Sequence, residues 1–294
     1  MRYNFPKLYN TVLNSIKNYF YLMRLDRPIG TLLLLWPTLI SLIYAGNGFI
    51  RIDLLIIFCL GTLVMRSAGC VINDYFDRDF DNKVLRTSTR PVASGAVSRK
   101  EALILFCFLI FLACLLLTFL NLLALKVALA LFCIVLFYPL AKRFFKVPQL
   151  VLGLAFSGGI LMAFAATMNN LSIPAFSLFV GNYFWVLAYD TSYAMADKKD
   201  DLSIGIGSSA IYFEGREESV IWLGCFINLL IIFMVGLSKE INLFFYLGMF
   251  LTSAYLIHLI STTDFNHEDS CLKFFKKNNW VGALIFSTVL IGLN

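Results

Sequence analysis

The sequence predicts an all-α, multi-spanning membrane protein with nine transmembrane helices, and three observations carry that prediction. Apolar residues make up 60% of the 294-residue chain and charged residues only 14%, whereas a soluble domain is about half apolar and about a quarter charged. Residues 102–125 and 147–189 contain no charged side chain, and the second run is long enough for two crossings at about 20 residues each. Twenty of the 24 Lys and Arg fall on alternate connections, which therefore lie on one side of the membrane. The other side collects Arg51, Lys126 and Lys239, and Arg66 lies inside a span. That bias puts the N-terminus and the basic connections in the cytoplasm and calls for an odd number of crossings.

Taken in order, the spans are expected at about 29–46, 54–74, 102–120, 122–141, 148–168, 173–196, 218–237, 241–262 and 278–293. Asn169 to Pro174 supplies the turn that divides the long charge-free run. Residues 1–28 carry five basic groups against the single acid Asp26. They lack the continuous apolar core and small-residue cleavage site of a signal peptide, and a transit peptide is disfavoured because motif-like text begins at Leu22. The expected division is a cytoplasmic segment 1–28 and one transmembrane domain 29–294 in the cell inner membrane.

Composition excludes several functions. The formal charge of +6 follows from topology and does not imply a nucleic-acid partner. The seven Cys form no C-x-x-C pair, and all but Cys271 fall in apolar spans, where they read as small buried residues. His258 and His267 are too few and too far apart for a zinc or haem site.

Chemistry gathers where the second span ends. Asn73, Asp77 and Asp81 stand at i, i+4 and i+8, within one sector of a helix, with Asp74 beside that line. Stacked acids destabilise a helix unless positive charge sits among them, and no Lys or Arg is interleaved on that face. A bound divalent cation is the simplest supplier, and oxygen-only ligands suit Mg²⁺. A solvated helix end with surplus acids is the alternative for this stretch alone. A second cluster ends the sixth span: Asp190, Asp197 and Asp201 share a face with Tyr193 close by, and Asp190 lies within the span, where an acid needs a partner. Asp200, beside Lys198 and Lys199, reads as an ordinary charged loop.

Two such clusters on one membrane face can hold two Mg²⁺, which would grip a diphosphate over an apolar, water-poor pocket. That arrangement favours heterolysis of an allylic C–O bond and points to prenyl transfer. Cations are at hand. Arg66 precedes Asn73 by seven residues on nearly the same face, and an embedded Arg is a functional candidate. Lys83, Arg86 and Arg90 follow the first cluster, and Lys142 and Arg143 end the fourth span.

Asn73-Asp74-x-x-Asp77-x-x-x-Asp81 and Asp190-x-x-Tyr193-Ala194-x-x-Asp197-x-x-x-Asp201 resemble the two aspartate-rich motifs of the UbiA superfamily of membrane prenyltransferases. Leu22 to Pro28, Gly30 to Thr38, Arg86 to Ser98, Tyr138 to Arg143, Pro148 to Gly153 and Ala188 to Asp190 resemble its branch acting on 4-hydroxybenzoate, so the likeness covers nearly everything from residue 20. The resemblance implies nine helices around a central cavity, a cap of cytoplasmic loops, Mg²⁺ dependence, and transfer from a polyprenyl diphosphate to 4-hydroxybenzoate in ubiquinone synthesis. It implies no obligate protein partner. Carried over by position, Asn73, Asp77, Asp81, Asp190, Asp197 and Asp201 would bind metal and diphosphate. Asp77, Asp197 and Arg66 would be catalytic. Arg24, Arg66, Lys142, Arg143, Tyr193 and Asp190 would contact substrate, with Arg66 or Arg24 meeting the acceptor carboxylate. One departure stands out: where the superfamily usually has Lys in Gly-Ile-Lys-Ser, this chain has Gly207, and Lys198 or Lys199 is the expected substitute. The acidic motifs alone would equally allow a naphthoate, homogentisate or haem precursor as acceptor. A secondary transporter would also carry embedded acids, but near the bilayer midplane on broken helices.

Overall fold

A computed structural model describes residues 5–82 and 86–293, without the side chains of residues 5–13, Lys142 and Arg143. Every regular element among the described residues is a helix: α1 (Phe5–Leu22), α2 (Ile29–Ala45), α3 (Ile52–Asp81), α4 (Arg99–Leu117), α5 (Leu122–Phe144), α6 (Gln149–Met168), α7 (Ile173–Ile204), α8 (Ser209–Tyr212), α9 (Glu217–Leu237), α10 (Leu243–Ser261) and α11 (Glu268–Gly292).

Each expected span coincides with one helix, but the span count is not settled by length and apolarity. Six helices are long and apolar enough to cross a membrane: α3, α4, α5, α6, α9 and α10. Of the remaining three, α2 is 17 residues long, α7 carries the second acidic cluster, and the first half of α11 carries Glu268, Asp269, Lys273, Lys276 and Lys277. Two boundaries are corrected. The last helix starts ten residues before the expected 278, and α7 runs on to Ile204 past the expected 196, so Asp200 lies on a helix instead of in a loop. Gly205, at φ 75°, stops α7 in the left-handed conformation that glycine adopts without strain. Neither α1 nor the single turn α8 was anticipated; the stretch 1–28 reads as polar when only apolar runs are sought.

Local chemistry explains the helix ends. Ser98 and Glu101 form a reciprocal capping box at the start of α4. Asn121 caps α5 and also donates from Nδ2 to the Ala165 carbonyl at 2.7 Å, tying the α4–α5 turn to α6. Asn169 ends α6 with φ 50°, and Pro174 opens α7 where its missing N–H costs nothing.

Packing is organised around α7, which lies against α6, α9 and α11, while α2 bridges α6, α11 and α3. A Cβ at Gly224 would stand 2.4 Å from the Phe184 carbonyl, so only glycine lets α9 approach α7 this closely. Polar groups inside the bundle pair with each other. Trp185 Nε1 donates to Asn278 Oδ1 at 2.9 Å, Asn182 Nδ2 to Ser157 Oγ at 2.9 Å, and Tyr44 Oη to the Ile232 carbonyl at 3.0 Å. Such pairing is what a medium without water demands. The outer surface is the reverse of a soluble protein's, with Phe108, Phe111, Phe119 and Phe250 all exposed. Cys107, Cys114 and Cys133 share that exposure, which corrects the expectation of buried cysteines. No disulfide links described residues, and Cys70, Cys225 and Cys271 are buried as expected.

Candidate active site

One cavity of about 1480 Å³ opens among the helices. Its walls are apolar side chains of α3, α4, α5 and α6, among them Met65, Leu116, Phe132 and Met162. Its polar end gathers Arg24, Arg66, Asn73, Asp74, Arg86, Arg90, Asp190, Tyr193 and Lys276. Asn73 and Asp74 of the first motif and Asp190 and Tyr193 of the second thus line one cavity, whereas Asp77, Asp81, Asp197 and Asp201 are not among its lining residues.

The first motif is built by the last two turns of α3. Asn73 Nδ2 donates to Asp77 Oδ2 at 3.0 Å, an i, i+4 contact that aligns the amide and the carboxylate. Asn73 Oδ1 is buried with no hydrogen-bond partner. Asp74 is 2% exposed; it accepts both oxygens' worth of bonds from Arg24 Nη2, at 2.9 and 3.0 Å, with Arg90 Nη1 at 3.4 Å. Arg90 also forks onto Asp81 at 3.0 and 2.8 Å. Burial opposes the charge of Arg90, but Asp74 and Asp81 outweigh it and hold the guanidinium above its ordinary pKa. The outlying Asp79 pairs with Arg99 at 3.0 Å. The positive charge that the sequence reading sought from a metal is therefore supplied in part by arginines from outside the helix. Arg24 reaches Asp74 from a left-handed backbone, φ 57°, a conformation uncommon for a residue with a Cβ.

The second motif is joined to the first through the 86–98 loop. Arg86 forms an ion pair with Asp197, and its guanidinium lies 5.1 Å from the centre of the Tyr193 ring. Burial lowers the Arg86 pKa while Tyr193 and Asp197 raise it, and the rise prevails. Asp190 and Tyr193 line the cavity one turn apart, and Asp201 sits partly buried near the end of α7. Among the described residues no three acids or other His, Cys, Asp or Glu groups are grouped tightly enough to hold one ion between them. Asn73 Oδ1, a buried acceptor with lone pairs unused beside the carboxylate of Asp77, has the oxygen chemistry that suits a hard divalent cation.

The other cations fall into two groups. Lys198 pairs with Glu214 and Glu217 at 3.0 and 3.1 Å, and Lys199 with Glu268 at 2.9 Å. Neither replaces the side chain missing at position 207, which overturns that expectation. A Cβ at Gly207 would meet the Lys146 carbonyl oxygen at 2.8 Å, so the backbone of the α5–α6 connection occupies the space a longer residue would need. Arg66 and Lys276 are different: among the described residues, no carboxylate stands within ion-pair distance of either. The Arg66 guanidinium packs 5.6 Å from the Phe156 ring centre and against the backbone of Gly30, where a Cβ would come within 2.6 Å of Nη2. Lys83 and the side chains of Lys142 and Arg143 lie outside the described residues.

Three participants were missed by the sequence reading. Gly30 carried a signal, a glycine inside a motif-like run at the head of a span, but its purpose is visible only against Arg66. Lys276 sat among basic residues assigned to topology. Tyr189 stood in the run Ala188 to Asp190 with no role of its own.

A profile of the UbiA prenyltransferase family matches residues 34–285. The chain is 46% identical over 282 residues to a protein of Nitrosospira multiformis named 4-hydroxybenzoate octaprenyltransferase, covering 96% of this chain and 97% of that one. It is 44% identical over 276 residues to one of the same name from Polynucleobacter necessarius, covering 94% and 96%. Among solved structures it resembles the apo form of a UbiA homologue from Aeropyrum pernix, with TM-score 0.75, 22% identity, and 90% of this chain and 98% of that chain covered. It also resembles a UbiA homologue from Archaeoglobus fulgidus bound to GPP and Mg²⁺, with TM-score 0.72, 17% identity, and 93% and 99% covered. The chain belongs to the UbiA prenyltransferase family, and its fold is that family's all-helical membrane fold.

Proposed function

We propose that this protein transfers a polyprenyl group from polyprenyl diphosphate to the ring carbon ortho to the hydroxyl of 4-hydroxybenzoate, a membrane step of ubiquinone synthesis. The observation that carries the reading is the large cavity with apolar walls and one polar end, where Asn73, Asp74 and Asp190 of the two acidic motifs stand with cations of α3, α11 and the 86–98 loop. The names of the relatives at 42–46% identity support the acceptor.

The prenyl tail lies along the apolar walls, and its diphosphate reaches the polar end between α3 and α7. Mg²⁺, held at Asn73, Asp77 and Asp81 on one side and Asp190, Asp197 and Asp201 on the other, would supply charge neutralisation for the diphosphate as a leaving group. Arg86 and Arg90 stand beside it and stabilise the negative charge that grows as the allylic C–O bond breaks. The apolar walls exclude water from the allylic cation. The acceptor carboxylate is held by Arg66 rather than Arg24, since Arg24 is already committed to Asp74. Phe156 flanks the ring, which is placed for its ortho carbon to capture the cation. Loss of the ring proton then restores aromaticity. The protein works in the cell inner membrane as one domain over 29–294, with its N-terminal segment in the cytoplasm.

Membranes carrying the protein, given labelled 4-hydroxybenzoate, a polyprenyl diphosphate and Mg²⁺, are expected to form a prenylated acid. Asp77→Ala and Asp197→Ala should each abolish the product at normal protein levels. Full activity in either variant overturns the metal assignment, and absence of product from the unaltered protein overturns the function.

A further inference from the structure

We propose that the phenol of Tyr189 is a second donor to the acceptor's carboxylate, acting beside Arg66. This rests on the function proposed above and assigns that site a further positioning residue.

Tyr189 is 1% exposed, and its ring is held edge-on between Trp185, at 5.5 Å, and Phe275, at 5.7 Å. Its hydroxyl has no hydrogen-bond partner. A buried hydroxyl left unpaired forfeits the hydrogen bonds it made to water, a loss that folding seldom leaves without compensation. The other buried phenol and the buried indole avoid that cost, Tyr44 through the Ile232 carbonyl and Trp185 through Asn278. Tyr189 is the exception, and it is also the one of these three that lines the cavity.

What it faces narrows the ligand. Asp190 is its neighbour in the chain, and both line the cavity. Arg66 lines the same cavity with no carboxylate of its own in ion-pair distance among the described residues. A phenol donor and a guanidinium, both unused and lining one cavity, suit a group that accepts several hydrogen bonds at once and carries negative charge. A carboxylate does so, with about four lone-pair sites. Arg66 precedes Asn73 by seven residues, about 10 Å along α3, so within the polar end it stands about two turns before the first acidic motif. The flanking rings of Phe156 and Phe275 suit an aromatic carboxylate.

Tyr189→Phe keeps the ring and removes only the oxygen. The expected result is a rise of about tenfold in the KM for 4-hydroxybenzoate, the loss of one hydrogen bond to a charged group, with the donor's KM unchanged. Two probes locate the contact. Benzoate keeps the carboxylate without the hydroxyl, and its inhibition constant should rise by the same factor. That of 4-hydroxybenzyl alcohol, which keeps only the hydroxyl, should stay put. In an Arg66→Gln background the effect of Tyr189→Phe on benzoate should shrink, since both donors serve one group. Unchanged benzoate inhibition, or weakening confined to 4-hydroxybenzyl alcohol, overturns the proposal. Benzoate binding by titration calorimetry needs no turnover, so it reads Tyr189 even in protein that fails to prenylate 4-hydroxybenzoate, and the two failures are distinguishable.

Discussion

Gly30→Ala adds one methyl group at the head of α2, and its Cβ would stand 2.6 Å from Arg66 Nη2, 2.7 Å from Nε and 3.0 Å from Cζ. An ordinary contact begins at 3.4 Å, so the guanidinium must retreat by close to an ångström. The colliding atoms are the tip of a flexible side chain, so the bundle itself need not move. A useful N–H···O bond spans only about 2.7–3.2 Å, so a displacement of that size takes Arg66 out of register with a bound carboxylate. A hydrogen bond to a charged group is worth about 1.5–3 kcal/mol; partial recovery by the long arginine arm favours the lower end, about tenfold in affinity. Gly30→Val should exceed this. Steady-state rates in detergent or nanodiscs, with 4-hydroxybenzoate varied at saturating donor, should show the acceptor KM rising while the donor KM and the thermal unfolding midpoint hold. A wild-type acceptor KM in Gly30→Val, or an equal rise in both KM values, would falsify the assignment of Arg66 to the acceptor.

Arg90→Ala strips a guanidinium from Asp81 and from one side of Asp74, leaving Arg24 as the latter's partner. Breaking a largely buried pair costs about 3 kcal/mol, the low end of its range because Arg90 keeps some solvent contact; thermal unfolding in detergent should report it, with Arg90→Lys recovering part. Lys276→Ala should weaken binding of inorganic pyrophosphate with Mg²⁺ by about threefold to tenfold in calorimetry, and unchanged affinity would remove Lys276 from the diphosphate's surroundings. Gly207→Lys should lower stability without tightening pyrophosphate binding, because the Lys146 carbonyl blocks the site of its Cβ.

Both the helices and the face that bears the acids were legible in the chain because each depends on a period. Charge-free runs of about 20 residues and a basic bias on alternate connections need no tertiary information, and Asn73, Asp77 and Asp81 align by helical geometry alone. The partners of those acids were not legible. Asp74 is 50 residues from Arg24, and Asp197 is 111 from Arg86. Nothing in local pattern distinguishes an arginine that neutralises a buried acid from one that sets topology. The same blindness made Lys198 and Lys199 look available for a phosphate when Glu217 and Glu268, brought in by α9 and α11, had claimed them. Gly30 and Tyr189 were hidden for another reason. A glycine's purpose lies in what occupies the space beside it, and a tyrosine's in what its hydroxyl lacks. Neither is a property of spacing.

The division between committed and uncommitted cations gives the site its logic. Arg24, Arg86 and Arg90 are each held by an acid, so their charges are fixed in place and join four separate stretches of chain around the polar end of the cavity. That network neutralises three acids of α3 and α7, Asp74, Asp81 and Asp197, without a ligand, at the expense of occupying oxygens that a cation would want. Asn73 Oδ1 is the acceptor it leaves unused. A diphosphate entering with its own negative charge competes for Arg86 and Arg90, and every contact it wins returns a carboxylate oxygen of Asp197 or Asp81 to the cation. Donor and metal are therefore expected to bind with positive coupling. Calorimetry of pyrophosphate at rising Mg²⁺ should show affinity increasing with the metal, and Arg86→Gln, which frees Asp197 in advance, should flatten that dependence. Equal dependence in the variant and the unaltered protein would show that the arginines merely brace the fold.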